Sequence, residues 1–177
     1  MKGDKKHIWI EAAYLRFATH GESGLTVEAI ARDLDRNKSS FYHYFGELQV
    51  LKSALLQRHL DTSKAVGQMM AGAESLDPDI FRIILDHKKN FFFQKQLKLA
   101  EGETYQQYYN QAFEYVQTPL QQKMSEALGI ANKQLFSEAL LHLVSDNFLL
   151  RIQESNLTLA WLRDYVEEIR SLTRHVG

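Results

Sequence analysis

The chain has 177 residues, 45% of them hydrophobic and 24% charged, with a formal net charge of −1, a composition that fits an ordinary soluble globular protein of one or two small domains. It has no cysteine, which excludes disulfides and thiolate metal or redox chemistry. Two prolines and nine glycines leave long stretches without a breaker, which favours long helices over a strand-and-turn architecture.

The start, Met1 to Lys6, is basic, but Glu11 and Arg16 interrupt the apolar stretch behind it, so no secretory signal is expected. No run approaches the ~20 apolar residues of a spanning helix. A cytoplasmic protein with no membrane partner is the expectation. Charge is unevenly spread: residues 1–60 carry nine Lys/Arg against seven Asp/Glu, and the remainder twelve against fifteen. The direction suits a nucleic-acid head on a neutral or acidic body, although the difference alone decides nothing.

His7 to His20 is predicted to be a helix, with Trp9, Ala13 and Phe17 repeating at i,i+4 and Ala12 on the same side. Gly21 stands where a helix C-terminus wants a left-handed residue, and Gly21 and Gly24 frame a loop. A short second helix follows, with Thr26 as its N-cap and Val27, Ile30, Ala31 and Leu34 as its apolar stripe. After the turn Asp35-Arg36-Asn37, Asn37 is a suitable N-cap for a third helix, Lys38 to Tyr44, with Phe41 and Phe45 at i,i+4. Two short helices around a tight turn match a helix-turn-helix unit. Helices this short are unstable alone, so the first helix and the start of the fourth must cover them.

Long amphipathic segments follow. Glu47 to Met70 reads as one helix closing near Gly72, and Asp77-Pro78 starts another that runs to about Leu99. Thr104 to Leu128 is a third, which Pro119 is expected to kink or split. Asn132 to Gln153 and Leu157 to His175 form the final pair. There is no internal repeat, low-complexity tract or heptad series. The expected fold is all-α: a three-helix helix-turn-helix head over residues 1–50 and a helical-bundle ligand-binding and dimerisation body over residues 51–177.

If the third helix enters a major groove, Lys38, Ser39, Ser40, Tyr42, His43 and Tyr44 face the DNA while Phe41 and Phe45 pack inward. Hydroxyls, an ammonium and aromatic tips are groups that bond phosphates and base edges. Thr26 and the backbone N–H groups beside it suit a phosphate. Lys2, Lys5 and Lys6 are expected to lie along the duplex as a flexible arm. The same residues also fit an ordinary exposed helix, and tail lysines are usually just solvated.

Trp9 to Leu51 resembles the DNA-binding domain of the TetR family. The likeness rests on the spacing of Ala12-Ala13, Phe17 and Gly21, on Leu25-Thr26-Val27-Glu28-Ala29-Ile30-Ala31, and on Ser40-Phe41-Tyr42-His43-Tyr44-Phe45 with the closing Leu51. It implies a one-component regulator that binds a double-stranded operator as a homodimer through the last two helices and answers to a small-molecule inducer. It also implies that Tyr42 is a DNA-contacting aromatic, that Lys38, Ser39, Ser40 and Tyr44 line the recognition helix, and that Thr26 meets phosphate. Two departures stand out. The family's turn glycine is Asp35 here, followed by Arg36 in place of a small apolar residue, and its lysine near the phosphates is Leu48. Asp tolerates left-handed geometry better than most residues. Arg36, Lys38 or Lys52 are the candidates to replace the lost phosphate contact.

In the body, Phe91-Phe92-Phe93, Tyr105, Tyr108, Tyr109, Phe113 and Tyr115 form a conspicuous aromatic group. Phe91, Tyr105, Tyr108, Tyr109, Phe113 and His142 are the candidate ligand-binding residues, against the alternative that the aromatics are simply core. His87 and His142 read as the only histidines deep in the body helices. Leu135, Phe136, Leu140, Leu143, Val144, Phe148, Trp161, Leu162, Tyr165, Val166, Ile169 and Leu172 offer more apolar surface than a terminal helix pair needs, which suggests a four-helix dimer interface.

Three readings compete. The first is a ligand-responsive repressor on a palindromic operator. The second is a degenerate relative that binds a ligand or protein but no longer grips DNA specifically, motivated by Asp35, Leu48 and the modest charge asymmetry. The third, a helical-bundle enzyme, has little support. Glu138 and His142 are one residue too far apart for a Glu-x-x-His metal motif, and no Walker loop, nucleophile elbow or His-Glu-x-x-His occurs. No cofactor and no metal are expected.

Overall fold

A computed structural model describes residues 2–130 and 137–174. Nine α-helices occur among them, with no strand. The helices are α1 (Lys2–His20), α2 (Val27–Asp33), α3 (Lys38–Phe45), α4 (Leu48–Ala71), α5 (Phe81–Asp86), α6 (Lys88–Leu99), α7 (Glu103–Leu128), α8 (Glu138–Arg151) and α9 (Leu159–Arg174). The fold is the all-α architecture expected, with an N-terminal helix-turn-helix.

The head forms where its local signals place it. Thr26 caps α2 by accepting the Ala29 N–H at 3.2 Å, and Asn37 caps α3 by accepting the Ser40 N–H at 2.9 Å. Gly21 takes φ 65° and Asp35 takes φ 50°, so both turns use positive-φ backbone, although Gly21, at ψ −158°, is extended and not left-handed helical. Trp9, Phe17, Ile30, Phe41 and Leu51 are essentially sealed from solvent, so α1 and the start of α4 do cover the two short helices. α1 begins at Lys2, so the basic start is helical and not a flexible arm. Lys6 sits 5.1 Å from the Phe45 ring centroid, and helix formation there buries a cation–aromatic contact that an extended arm would lack.

One continuous apolar core runs from Trp9 in the head to Ile169 in α9. Phe93 on α6 is its hinge-pin: its ring lies 4.5 Å from Tyr14, 4.3 Å from Phe17 and 4.3 Å from His59. Aromatic contacts at these centroid distances add to simple area burial.

Three expectations for the body change. The helix foreseen from Asp77 to Leu99 is instead a wide turn at Leu76–Ile80, then α5, then α6, with a break at His87 (φ −111°, ψ 29°). Neither glycine nor proline marks that break. It lets α5 pack on α9 while α6 turns onto α1 and α7. Pro119 does not split α7, which runs unbroken from Glu103 to Leu128. The proline has no N–H for the Tyr115 carbonyl one turn back, and that carbonyl is where Gly67 of α4 makes its closest approach. Last, Thr158 caps α9 through the Trp161 N–H at 3.2 Å, so α9 starts at Leu159, two residues later than expected. Leu135, Phe136 and His175 lie outside the described residues.

Candidate nucleic-acid interface and interior cavity

Helix α3 presents its polar side to solvent because Phe41 and Phe45 anchor its other side. Phe41 packs edge-on against Trp9 at 5.5 Å and stacks on Phe45 at 5.2 Å. Tyr42 stands 53% exposed, with its ring braced edge-on by Phe41 at 5.4 Å. Arg36, Lys38, Ser39 and His43 are exposed around it, and Ser40 and Tyr44 are half-buried. The Ser40 hydroxyl donates to Asn37 Oδ1 at 2.8 Å, so it serves the cap. Thr26, exposed at the start of α2, combines a capping oxygen with nearby backbone N–H groups. All eight residues foreseen as DNA-facing therefore lie on or beside one helix-turn-helix.

The cations around this surface are mostly engaged. Lys38 Nζ donates to Glu28 at 3.0 Å, and this pairing holds the Glu28 carboxyl below its ordinary range. Lys52 Nζ donates to Glu22 at 2.6 Å, and Arg16 to Asp33 at 2.6 Å. Exposed pairs of this kind are weak, so a phosphate can replace Glu28 as the partner of Lys38. Leu48, at the first position of α4, is half-buried against the core and offers no charge.

Below the head, a cavity of about 90 Å³ lies among α4 to α9. Its wall is largely hydrocarbon and aromatic, including Phe81, Phe91, Phe113, Phe148 and Tyr165. Of the six candidate ligand residues, Phe91 and Phe113 line it, whereas Tyr105, Tyr108, Tyr109 and His142 do not. The tyrosines have other work. Burial and the Asp146 carboxylate, to which its hydroxyl donates, raise the Tyr109 phenol well above its ordinary range. Burial and Glu22 do the same to Tyr105. His142 rests on the outer side of Phe113, with ring centroids 4.3 Å apart.

A polar chain that sequence reading missed crosses one end of the cavity. His59 on α4 is wholly buried, which corrects the expectation that His87 and His142 are the only histidines deep in the body. Its Nε2–H donates to Gln94 Oε1 at 2.8 Å, and Gln94 Nε2 donates to the Tyr109 carbonyl at 2.8 Å. On the other side, His59 Nδ1 accepts from the Tyr14 hydroxyl at 3.1 Å and from Asn90 Nδ2 at 3.3 Å. Asn90 Nδ2 also donates to Ser63 Oγ at 3.0 Å. Burial pushes the His59 imidazole down to about 4, and the nearby Arg58 charge adds to this against the opposing bond to Gln94. Burial likewise pushes the Tyr14 phenol up to about 12. Ser63, Asn90 and Gln94 face the cavity, and Tyr14 belongs to the head. A signal for this chain existed: His59 and Ser63 interrupt the apolar stripe Leu51, Leu55, Val66, Met70 at the same helical spacing.

Residues 10–51 match the family described as bacterial regulatory proteins, tetR family. No curated protein matches the chain. Among solved structures, the chain resembles a protein of Mesorhizobium loti MAFF303099 described as a TetR-family transcriptional regulator. The TM-score is 0.54 at 14% identity, over 98% of this chain and 96% of that one. That likeness extends the same all-α fold through the body, while the head carries the family's own sequence pattern. The head, over residues 10–51, is therefore that of the TetR family of bacterial regulatory proteins, a DNA-binding helix-turn-helix.

Proposed function

We propose that the protein is a ligand-responsive repressor that grips a palindromic operator as a homodimer in the cytoplasm, with residues 1–50 as the DNA-binding head and 51–177 as the body that senses a small-molecule inducer and pairs with a second copy. Its work is binding and not catalysis. Thr26, Arg36, Lys38, Ser39, Ser40, Tyr42, His43 and Tyr44 are the DNA-facing set. The observation that carries the reading is the buried chain from Ser63, Asn90 and Gln94 on the cavity wall to Tyr14 on α1. A molecule entering the cavity meets the same amides that tie the head to the body. It can shift the head only by binding two head positions with different affinity. Two recognition helices must lie about 34–36 Å apart to enter successive major grooves, so a modest pivot is enough to lose the operator.

The dimer face is narrower than the apolar content of the last two helices suggests. Val144, Leu162, Tyr165, Val166 and Ile169 are consumed by the chain's own core. Leu143 and Leu150 on α8, 67% and 51% exposed, and Leu172 on α9, 62% exposed, remain as surface for a partner copy. Leu143 and Leu150 are two turns apart on one face of α8.

Two variants separate the roles. Tyr42→Ala is expected to remain dimeric in sedimentation and to lose at least tenfold in operator affinity, on the order of the 1–3 kcal/mol that a good base contact contributes. Leu143→Glu combined with Leu150→Glu is expected to sediment as a folded monomer and to lose the operator as well. Undiminished operator binding by Tyr42→Ala would remove Tyr42 from the interface, and a dimeric double-glutamate protein would move the dimer face elsewhere.

A further inference from the structure

The cavity carries more information than its existence. None of its lining side chains is Lys, Arg, His, Asp or Glu. A carboxylate or ammonium placed there would be buried without a counter-charge, which is prohibitively costly. Most of the polar groups it does show are already satisfied. Tyr165 donates its hydroxyl to the Val144 carbonyl at 2.6 Å, the Gln94 amide is bonded at both ends, and Ser63 Oγ accepts from Asn90. Ser145 on α8 is different: it is 8% exposed, lines the cavity, and its Oγ is the buried side-chain polar atom without a partner among the described residues. Asn90 also lines the cavity, and its Nδ2 is committed to Tyr14, His59 and Ser63.

We infer that the cavity takes an uncharged, largely hydrocarbon molecule bearing a single hydroxyl or carbonyl group, which Ser145 holds. This rests on the ligand-responsive reading above and adds the chemical class of the ligand. Either group can accept a hydrogen bond from the Ser145 hydroxyl. The aromatic wall takes the hydrocarbon part. Size limits the unexpanded site: at about 90 Å³ it is smaller than the roughly 150 Å³ cavity that accommodates benzene. A short alkyl chain is therefore the proper probe, and a longer ligand must push the aromatic wall outward.

The test is an NMR titration of the full chain with butan-1-ol, butanoate, butylammonium and 1-chlorobutane, repeated on Ser145→Ala with the thermal midpoint of each protein recorded. Butan-1-ol is expected to bind the wild type at least about tenfold more tightly than either charged probe. Ser145→Ala is expected to weaken butan-1-ol roughly three- to tenfold, the effect of one hydrogen bond, and to leave 1-chlorobutane unchanged. Because an orphan hydroxyl is removed, the midpoint of the variant is expected to hold or rise, whereas a hydroxyl with a structural task would lower it. Equal binding of a charged probe, an unchanged alcohol affinity in Ser145→Ala, or no binding of any probe would each overturn the assignment. Failure of the ligand-responsive reading looks different: the alcohol fills the cavity, yet affinity for the operator does not change.

Discussion

Replacing Gly67 by alanine is expected to destabilise the protein by about 3 kcal/mol, although alanine is the better helix former. A Cβ built on Gly67 would stand 2.2 Å from the Tyr115 carbonyl oxygen and 2.8 Å from its carbon. Carbon and oxygen ordinarily approach no closer than about 3.3 Å, so α4 and α7 would have to part by roughly 1 Å along their longest shared contact. The neighbour is backbone and has no rotamer to change. Helix propensity favours alanine by at most about 1 kcal/mol, far less than the cost of the clash. For a chain of this size the loss corresponds to a fall in melting temperature of roughly 6–12 °C. Calorimetry of Gly67→Ala decides the matter, and an unchanged or higher midpoint would mean that the two helices are not pressed together at this point.

The second large effect is a dependence of stability on pH set by His59. In the unfolded chain an imidazole takes up a proton below about 6.5, whereas buried His59 resists until about 4. Between those values the unfolded state binds more protons, so stability present at neutral pH is lost as pH falls through the window. The full loss is about 3 kcal/mol, of which about 2 kcal/mol falls between pH 7.5 and pH 5. The bonding pattern reinforces the direction. Tyr14 and Asn90 both donate to Nδ1, so a proton there would displace two donors, and Arg58 repels the added charge. Arg58 is itself bound to Glu11 and packs over the Tyr14 ring at 4.1 Å. Denaturant unfolding across this range should show the loss in the wild type, and His59→Gln should lack it, so that the stability difference between the two proteins changes by about 2 kcal/mol across the window. Parallel pH profiles would contradict a neutral, buried His59.

The head was legible in the sequence because its determinants are local. Thr26, Asn37, Gly21 and Asp35 each act on the backbone within a few residues of themselves, and each does in the structure what its chemistry requires. The body was legible in its helices and much less in their interiors. His87 carries no breaker signature, because what ends α5 there is the pair of packing partners that α5 and α6 serve. Pro119 signals a break when read alone, yet α7 continues through it, with Gly67 of α4 against the Tyr115 carbonyl one turn before the proline. The tyrosines of α7 share a helical face as expected, but Asp146 and Glu22 draw Tyr109 and Tyr105 away from the cavity. Tyr14, His59 and Asn90 lie on three different helices, so their network exists only once those helices are packed. A histidine and a serine inside an apolar stripe were the available clue, and such residues are readily mistaken for solvent-facing interruptions of a core.

The DNA-binding head is the centre of this account, and selection of random duplexes by the purified protein tests it most directly. Recovery of a palindrome whose half-site centres lie about one helical turn apart, 10–10.5 base pairs or a multiple, is the predicted result. It would place two copies of α3 in successive major grooves. Failure to enrich any sequence, with weak binding indifferent to salt and sequence, would contradict it and show a helix-turn-helix that no longer reads DNA.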